Sequence, residues 1–243
     1  MRIPRIHLPR ALAAGDAIEF QGSAANHLRV LRLRTGDPLV VFDGAGTSHA
    51  ASVAFVERRR AGIHVGEPVT EDGESPLAVT LAQGVSKGDR MDWSIQKAVE
   101  LGVAAIAPVI AARSVLRDQP DRLTRKRDHW QAVAVSACEQ CGRNVVPSVA
   151  EPVPLAACLP ALPDALRVFL DPEAGASVTS LAQAPPPACT LLVGPEGGFT
   201  DDEIVTARDQ GFRGIRLGPR VLRTETAGVA ALAALQTLWG DFQ

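Results

Sequence analysis

The chain has 243 residues, enough for one large domain or two modest ones, since domains usually run about 100–200 residues. Hydrophobic residues make up 46% and charged residues 21%, which excludes a disordered chain, and no apolar run approaches the roughly 20 residues of a membrane helix. The net charge of −2 is unevenly spread: +3 over residues 1–70, −3 over 71–76, +3 over 77–150 and −5 from 151 onward, so a basic first part and a basic middle suit a polyanionic partner.

Aromatic residues are scarce and tyrosine is absent, so the core must be built mainly from Ala, Val, Leu and Ile. The N-terminus, Met1 to His7, lacks the apolar stretch of a signal peptide, and a cytoplasmic location is expected. The first seventy residues read as strands over 17–20, 38–42, 48–56 and 62–65. Turn chemistry separates them, at Gly15-Asp16, Gly36-Asp37 and Asp43-Gly44-Ala45-Gly46. One short helix is expected from Ser23 to Val30, with Ser23 as its N-cap. Short strands at this spacing predict a small β-barrel over residues 1–70, and the acidic, turn-rich stretch 71–76 reads as a linker.

From residue 77 to 243 strands alternate with helices. Strands are expected over 77–82, 104–110, 165–170, 189–193 and 214–217. Helices are expected over 88–101, 122–141, 201–210 and 225–239, the first placing Met91, Ile95, Ala98 and Val99 on one face. The Pro-rich pieces 151–163 and 185–187 read as connections. Such alternation predicts an α/β domain with a parallel sheet covered by helices. The four cysteines read as buried thiols. Cys138-Glu139-Gln140-Cys141 has C-x-x-C spacing but lies in a helix with no second pair, and the five histidines show no ligand spacing, so no metal is expected.

Two segments carry the chemistry. In Leu191-Leu192-Val193-Gly194-Pro195-Glu196-Gly197-Gly198-Phe199-Thr200, glycines follow directly on a buried strand, and Thr200 with Glu203 forms a capping box for the next helix. Ligands bind outside the carboxyl ends of parallel strands, where this loop lies. The loop lacks the dinucleotide and P-loop fingerprints, which disfavours a nicotinamide-dependent oxidoreductase. The second segment, Ile215 to Ala227, leaves a strand through Gly218-Pro219, passes Arg220 and Arg223, and enters an Ala-rich helix near Thr224. Backbone amides at such a helix start can meet a carboxylate or phosphate, while Thr224 can equally be a plain N-cap.

These loops, GPEGGFT and LGPRVLRTETA, closely resemble the signature loops of the RsmE family, uridine-N3 methyltransferases of small-subunit ribosomal RNA. Residues 29–37, 95–103 and 137–144 are similar to further motifs of that family in the same order, so the resemblance spans essentially the whole chain. It implies a PUA-like β-barrel joined to a SPOUT α/β domain with a C-terminal trefoil knot, and a homodimer. The alternation of strands and helices by itself describes only an ordinary open sheet. The resemblance further implies S-adenosylmethionine as cofactor, held by Leu170, Val193, Gly194, Pro195, Glu196, Gly197, Leu217, Gly218, Val221, Leu222, Thr224, Thr226 and Ala227. The expected partner is small-subunit (16S) ribosomal RNA or the assembled subunit. A non-catalytic RNA-binding ribosome-assembly factor of the same fold is the alternative.

Uridine N3–H is a weak acid, so methylation needs its proton removed or the resulting charge stabilised. Arg220 and Arg223 can stabilise charge on the uracil oxygens, and Glu196 or Glu225 can take the proton, although Glu196 in a glycine-rich turn can equally bond backbone amides. For RNA, the candidates are Arg2, Arg5, Arg10, Arg29, Arg32, Arg34, Lys87, Arg90, Lys97, Arg113, Arg143 and Asn144, since arginine's planar fork suits phosphate.

Overall fold

Five short strands of the first part pair into one sheet: β1 (Arg5–His7), β2 (Ala17–Gln21), β3 (Pro38–Phe42), β4 (Ser48–Val56) and β5 (Arg60–Pro68), in the order β1-β3-β4-β5-β2. A helix, α1 (Ser23–Val30), follows β2. All pairings are antiparallel except β1 with β3. The structure, a computed structural model, describes residues 3–70, 73–114, 120–163, 165–181 and 185–242. Register shifts between β4 and β5 bend these strands at 49–51 and 53–55. Side chains pointing to one face, among them Ile18, Leu39, Val41, Val53, Ile63 and Val65, close over Leu28 of α1. Ser23 is the first helical residue and not the cap. Gly22 precedes it with φ of 75°, a conformation that favours glycine, and no side chain caps the helix. Strand β1 lies outside the sequence expectation because three residues show no alternation.

The chain divides into two compact units, and the first comprises Met1–Glu74 together with Cys138–Val146. The inserted segment supplies much of the first unit's polar interior. Glu74 accepts from the Arg143 guanidinium at 2.6 and 2.9 Å and from the backbone N–H groups of Asn144 and Val145. Arg5 donates to the Asn144 side chain and to the Arg143 carbonyl, and lies 4.9 Å from the Phe42 ring centre. Sequence reasoning puts Arg5, Arg143 and Asn144 on an RNA surface. The structure corrects this: they are 7%, 5% and 4% exposed, because a guanidinium out of water persists only when ion pairs and hydrogen bonds replace its hydration. Glu139 similarly accepts from the backbone N–H of His7 and pairs with His27 at 3.0 Å.

In the second unit, Ser75–Ala137 with Pro147–Gln243, every strand pairing is parallel. Its elements are β6 (Ala78–Gly84), α2 (Asp89–Glu100), β7 (Ala105–Ile110), α3 (Pro120–Cys141, its last turn belonging to the first unit), β8 (Ser148–Val149), β9 (Val153–Pro154), α4 (Leu155–Ala161), β10 (Leu166–Leu170), β11 (Ala188–Val193), α5 (Asp201–Asp209), β12 (Arg213–Ile215) and α6 (Thr224–Trp239). The strands lie in the order β12-β10-β11-β6-β7-β8, with β9 also on β7. Leu155, Cys158 and Leu159 of α4, with Ala207 of α5, cover one apolar patch of the sheet made by Ala82, Val109, Phe169 and Leu192. Thus 151–163 is not merely a connection: it holds β9 and α4, with Pro160 tolerated near the end of a two-turn helix.

Helices α2 and α6 pack together, with Met91, Ile95, Ala98 and Val99 fully buried as the helical spacing requires. Gln236, also fully buried, donates to the Leu101 carbonyl that ends α2 and accepts from Ser75. Helix α6 buries Gly228, Ala231, Leu232 and Leu235, whereas Val229, Ala230, Ala233, Ala234 and Leu238 are half-buried. All four cysteines are free, and burial pushes the thiols of Cys138 and Cys189 up to about 12 and that of Cys158 to about 11, which keeps them protonated. Among the described residues no helix is long and apolar enough to cross a membrane, and no group of three or more His, Cys, Asp or Glu side chains is placed to hold a metal.

The hydrogen bond that the His27 ring donates to Glu139 raises the His27 pKa above its ordinary 6.5, against the opposing effect of burial. A raised folded-state value means that this stabilisation is complete below the unfolded value and is lost as pH rises through the folded one. Melting curves of wild type and His27→Gln should therefore differ more at about pH 5.5 than at about pH 8.5. An equal difference at both would show that the histidine does not carry this charge.

Candidate active site

Strands β6, β11, β10 and β12 run parallel and end at one edge of the sheet, with Gln83 beside Val193 and Leu170 beside Ile215. Two of these ends touch. A side-chain carbon placed on Gly84 would lie 2.4 Å from the backbone nitrogen of Pro195 and 2.7 Å from the carbonyl carbon of Gly194, so only glycine allows this approach. Beside it, the fully buried Gln83 side chain donates to the Thr224 hydroxyl at 3.0 Å, and Thr224 donates to the Gly194 carbonyl. Thr224 is the first residue of α6, and its cap position is taken by Arg223 without a side-chain bond. Its hydroxyl joins the helix to two strand ends and does not cap it.

The loops leaving these strands enclose a cleft of about 810 Å³ within the second unit. Of the residues named above for a cofactor, Leu170, Val193, Gly194, Pro195, Glu196, Leu217, Gly218, Val221, Leu222, Thr224 and Ala227 line it. Gly197 and Thr226 do not. Thr226 is exposed, and Gly197 faces Arg113, whose guanidinium donates to the carbonyls of Gly197 and Phe199. Close backbone approach here belongs to Gly84, against the Gly194–Pro195 peptide. Sequence reasoning misses the other wall, Phe169, Asp171, Pro172 and Glu173 around the end of β10. The only signal for it was position, since those residues follow a buried strand and form no recognisable pattern.

Arg220, Arg223 and Glu225 all line the cleft, and neither arginine is paired among the described residues. Arg90 lines it too. Its Nη1 lies 2.9 Å from Glu196 Oε1 and its Nε 3.9 Å from Glu225 Oε1, which ties it to the cleft's carboxylates. Burial pushes the Glu196 carboxyl up, but the backbone N–H groups of Lys87 and Glu196 and the Arg90 guanidinium outweigh it and hold the group below its ordinary value. Glu196 is thus a brace between β6 and β11 loops. The Thr200–Glu203 capping box is present in full and fixes the start of α5.

The remaining RNA candidates fall into groups. Arg10, Arg29, Arg32 and Arg34 are exposed on the first unit, with Arg29 bonded to Asn26 and Arg32 at a φ of 57°. Lys87 is exposed on the second unit, whereas Lys97 pairs with Glu100 on its own helix and Arg113 braces the glycine loop. Arg2 lies outside the described residues.

Comparison with known proteins matches residues 73–236 to an RNA methyltransferase domain family and residues 20–61 to an RNA methyltransferase PUA domain family. The chain is 34% identical to the ribosomal RNA small subunit methyltransferase E of Buchnera aphidicola subsp. Schizaphis graminum, over 99% of this chain and 98% of that one. It is 32% identical to the protein of the same name from Bacillus subtilis, over 88% and 87%. A crystal structure of ribosomal RNA small subunit methyltransferase E from Neisseria gonorrhoeae bound to S-adenosyl methionine superposes with a TM-score of 0.93, at 40% identity and full coverage of both chains.

Gly84→Ala tests the strand contact directly. The extra carbon meets backbone, which cannot rotate away, so denaturant unfolding should show a loss of about 1–3 kcal/mol, the usual cost of overpacking. Wild-type stability in this variant would mean that the crossing has slack.

Proposed function

The chain belongs to the ribosomal RNA small subunit methyltransferase E family, and from that premise we propose that it transfers the methyl group of S-adenosylmethionine to N3 of a uridine in small-subunit ribosomal RNA. The observation that carries this reading is the cleft at the strand ends, bounded by the glycine-only backbone crossing and lined by Arg220 and Arg223, neither of which is paired among the described residues. The residues present fit the cofactor. A volume of about 810 Å³ is in the usual range for small-ligand sites. Phe169, Leu170, Leu217 and Leu222 supply apolar wall for an adenine, and Asp171 and Glu173 supply acceptors for hydroxyl or ammonium groups. When bound, the cofactor supplies an electrophilic methyl group on a sulfonium.

The chain's own residues do the rest. Gly84, Gly194 and Thr224 hold the backbone that orients the reacting centre, so that nucleophile and methyl group meet in line. Arg220 and Arg223 face the negative charge that develops on the uracil oxygens as N3 loses its proton. We read the loops 194–198 and 217–227 as the trefoil knot of the family; the return of Thr224 onto Gly194 supports it. The first unit is read as a PUA-like barrel that grips RNA phosphates through Arg10, Arg29, Arg32 and Arg34, with Lys87 adding a contact from the second unit. The half-buried apolar row on α6 is read as the homodimer face, and light scattering that finds only monomer at micromolar concentration would contradict this.

The deciding experiment incubates the protein and labelled cofactor with small-subunit ribosomal RNA and with assembled subunits, then analyses the nucleosides by mass spectrometry. The expected product is 3-methyluridine. A methyl group on another atom would refute N3, and cofactor binding without any product would favour a non-catalytic assembly factor. Arg220→Ala and Arg223→Ala should each lower kcat about 10²-fold while retaining cofactor affinity. Neutralising Arg29, Arg32 and Arg34 should flatten the salt dependence of RNA binding by roughly 0.7–0.9 in log–log slope per lost phosphate contact. An unchanged slope would make these arginines plain surface.

A further inference from the structure

Two of the glutamates that line the cleft, Glu196 and Glu225, stand beside one arginine, Arg90, and their surroundings differ. Glu196 is fully engaged by the Lys87 backbone N–H and by Arg90, which makes it a weak base. Glu225 sits in the first turn of α6 with its side chain 14% exposed. Its Oε1 faces Arg90 at 3.9 Å, beyond a direct hydrogen bond, and its Oε2 is buried with no hydrogen-bond partner among the described residues. A carboxylate oxygen removed from water without a donor is costly to keep. An orphan of this kind on a residue that lines a ligand cleft calls for a chemical reason, and a catalytic role supplies one.

The chemistry of that ligand is constrained by the neighbours. Among the groups that line the cleft, Arg220 and Arg223 can donate and Glu225 can accept. Donors of that kind suit uracil O4 and O2, and an acceptor suits the N3–H that these oxygens flank. Cytosine presents a bare nitrogen lone pair at N3, which a carboxylate repels. We infer that Glu225 is the group that recognises the target uracil at N3–H and takes its proton during methyl transfer; the inference rests on the uridine-N3 reading above. The N3–H bond breaks and the proton passes to the Glu225 carboxylate. The electron pair left on nitrogen forms the bond to the methyl carbon, and the pair of the broken carbon–sulfur bond stays on sulfur. No other reactant is needed.

The test uses the full-length protein with Glu225→Gln and Glu225→Asp, read by cofactor affinity in calorimetry and by kcat on ribosomal RNA made with uridine or with 5-fluorouridine, whose N3–H is more acidic. Glu225→Gln is expected to lose about 100-fold or more in kcat, with cofactor affinity within about threefold of wild type. Its deficit should shrink on the fluorouridine RNA, because a more acidic proton depends less on a base. Glu225→Asp, which keeps a carboxylate on a shorter arm, should retain more activity than Glu225→Gln. Loss of cofactor affinity in Glu225→Gln would overturn the inference and assign the carboxylate to the cofactor. An equal deficit on both RNAs, or Gln matching Asp, would overturn it in favour of a structural role. Wild-type protein that methylates no uridine in either RNA would instead remove the reading beneath it.

Discussion

Gly84 and the Gly194–Pro195 peptide approach so closely that no side chain fits between them, and most of the second unit's architecture follows from that contact. The approach brings the ends of β6 and β11 together, and there the buried amide of Gln83 reaches the hydroxyl of Thr224. Because Thr224 also donates to the Gly194 carbonyl, the first turn of α6 is fastened to two strand ends at once. Everything between Leu217 and Arg223 then has to arch over the sheet edge, and that arch is one wall of the cleft. Several hydrogen bonds in a water-poor setting reinforce one another, so the small polar cluster specifies a geometry that aliphatic packing alone would leave loose.

Charge in the cleft is divided between structure and chemistry. Arg90 and Glu196 neutralise each other and hold two loops, which removes both from reaction. Arg220, Arg223 and one oxygen of Glu225 remain uncommitted. A similar division applies in the first unit, where Arg5 and Arg143 are held inside by Glu74, Asn144 and Phe42, and Arg10, Arg29, Arg32 and Arg34 stay outside.

Elements with strong local signals were readable from sequence. Alternation and turn chemistry delimit α1, β3 and β4 residue for residue, and Thr200 with Glu203 marks the start of α5. Strand β1 escapes because its three residues owe their conformation to pairing with β3, more than thirty positions later. Strand β9 and helix α4 escape because proline content reads as loop, although Pro154 sits where a helix begins and Pro160 where it ends. In the site, the two glycine-proline loops are visible, but which glycine needs bare backbone is not. That depends on Gly84 from a strand about a hundred residues earlier. Arg143 and Asn144 are misread for a related reason: a sequence displays charge but not what surrounds it.

The inserted segment Cys138–Val146 also sets an order of events. Arg5 reaches its partners across 138 and 139 positions of chain, and the ion pair of Glu74 with Arg143 spans 69. Contacts so distant in sequence are slow to form, since a long loop must close before they give any stabilisation. A chain emerging from the ribosome makes the five strands of the first unit early but cannot seal its polar interior until most of the second unit's first half has been synthesised. Until Arg143 and Asn144 have been made, the N-terminal sheet cannot form the hydrogen bonds that hold Arg5 inside the folded unit.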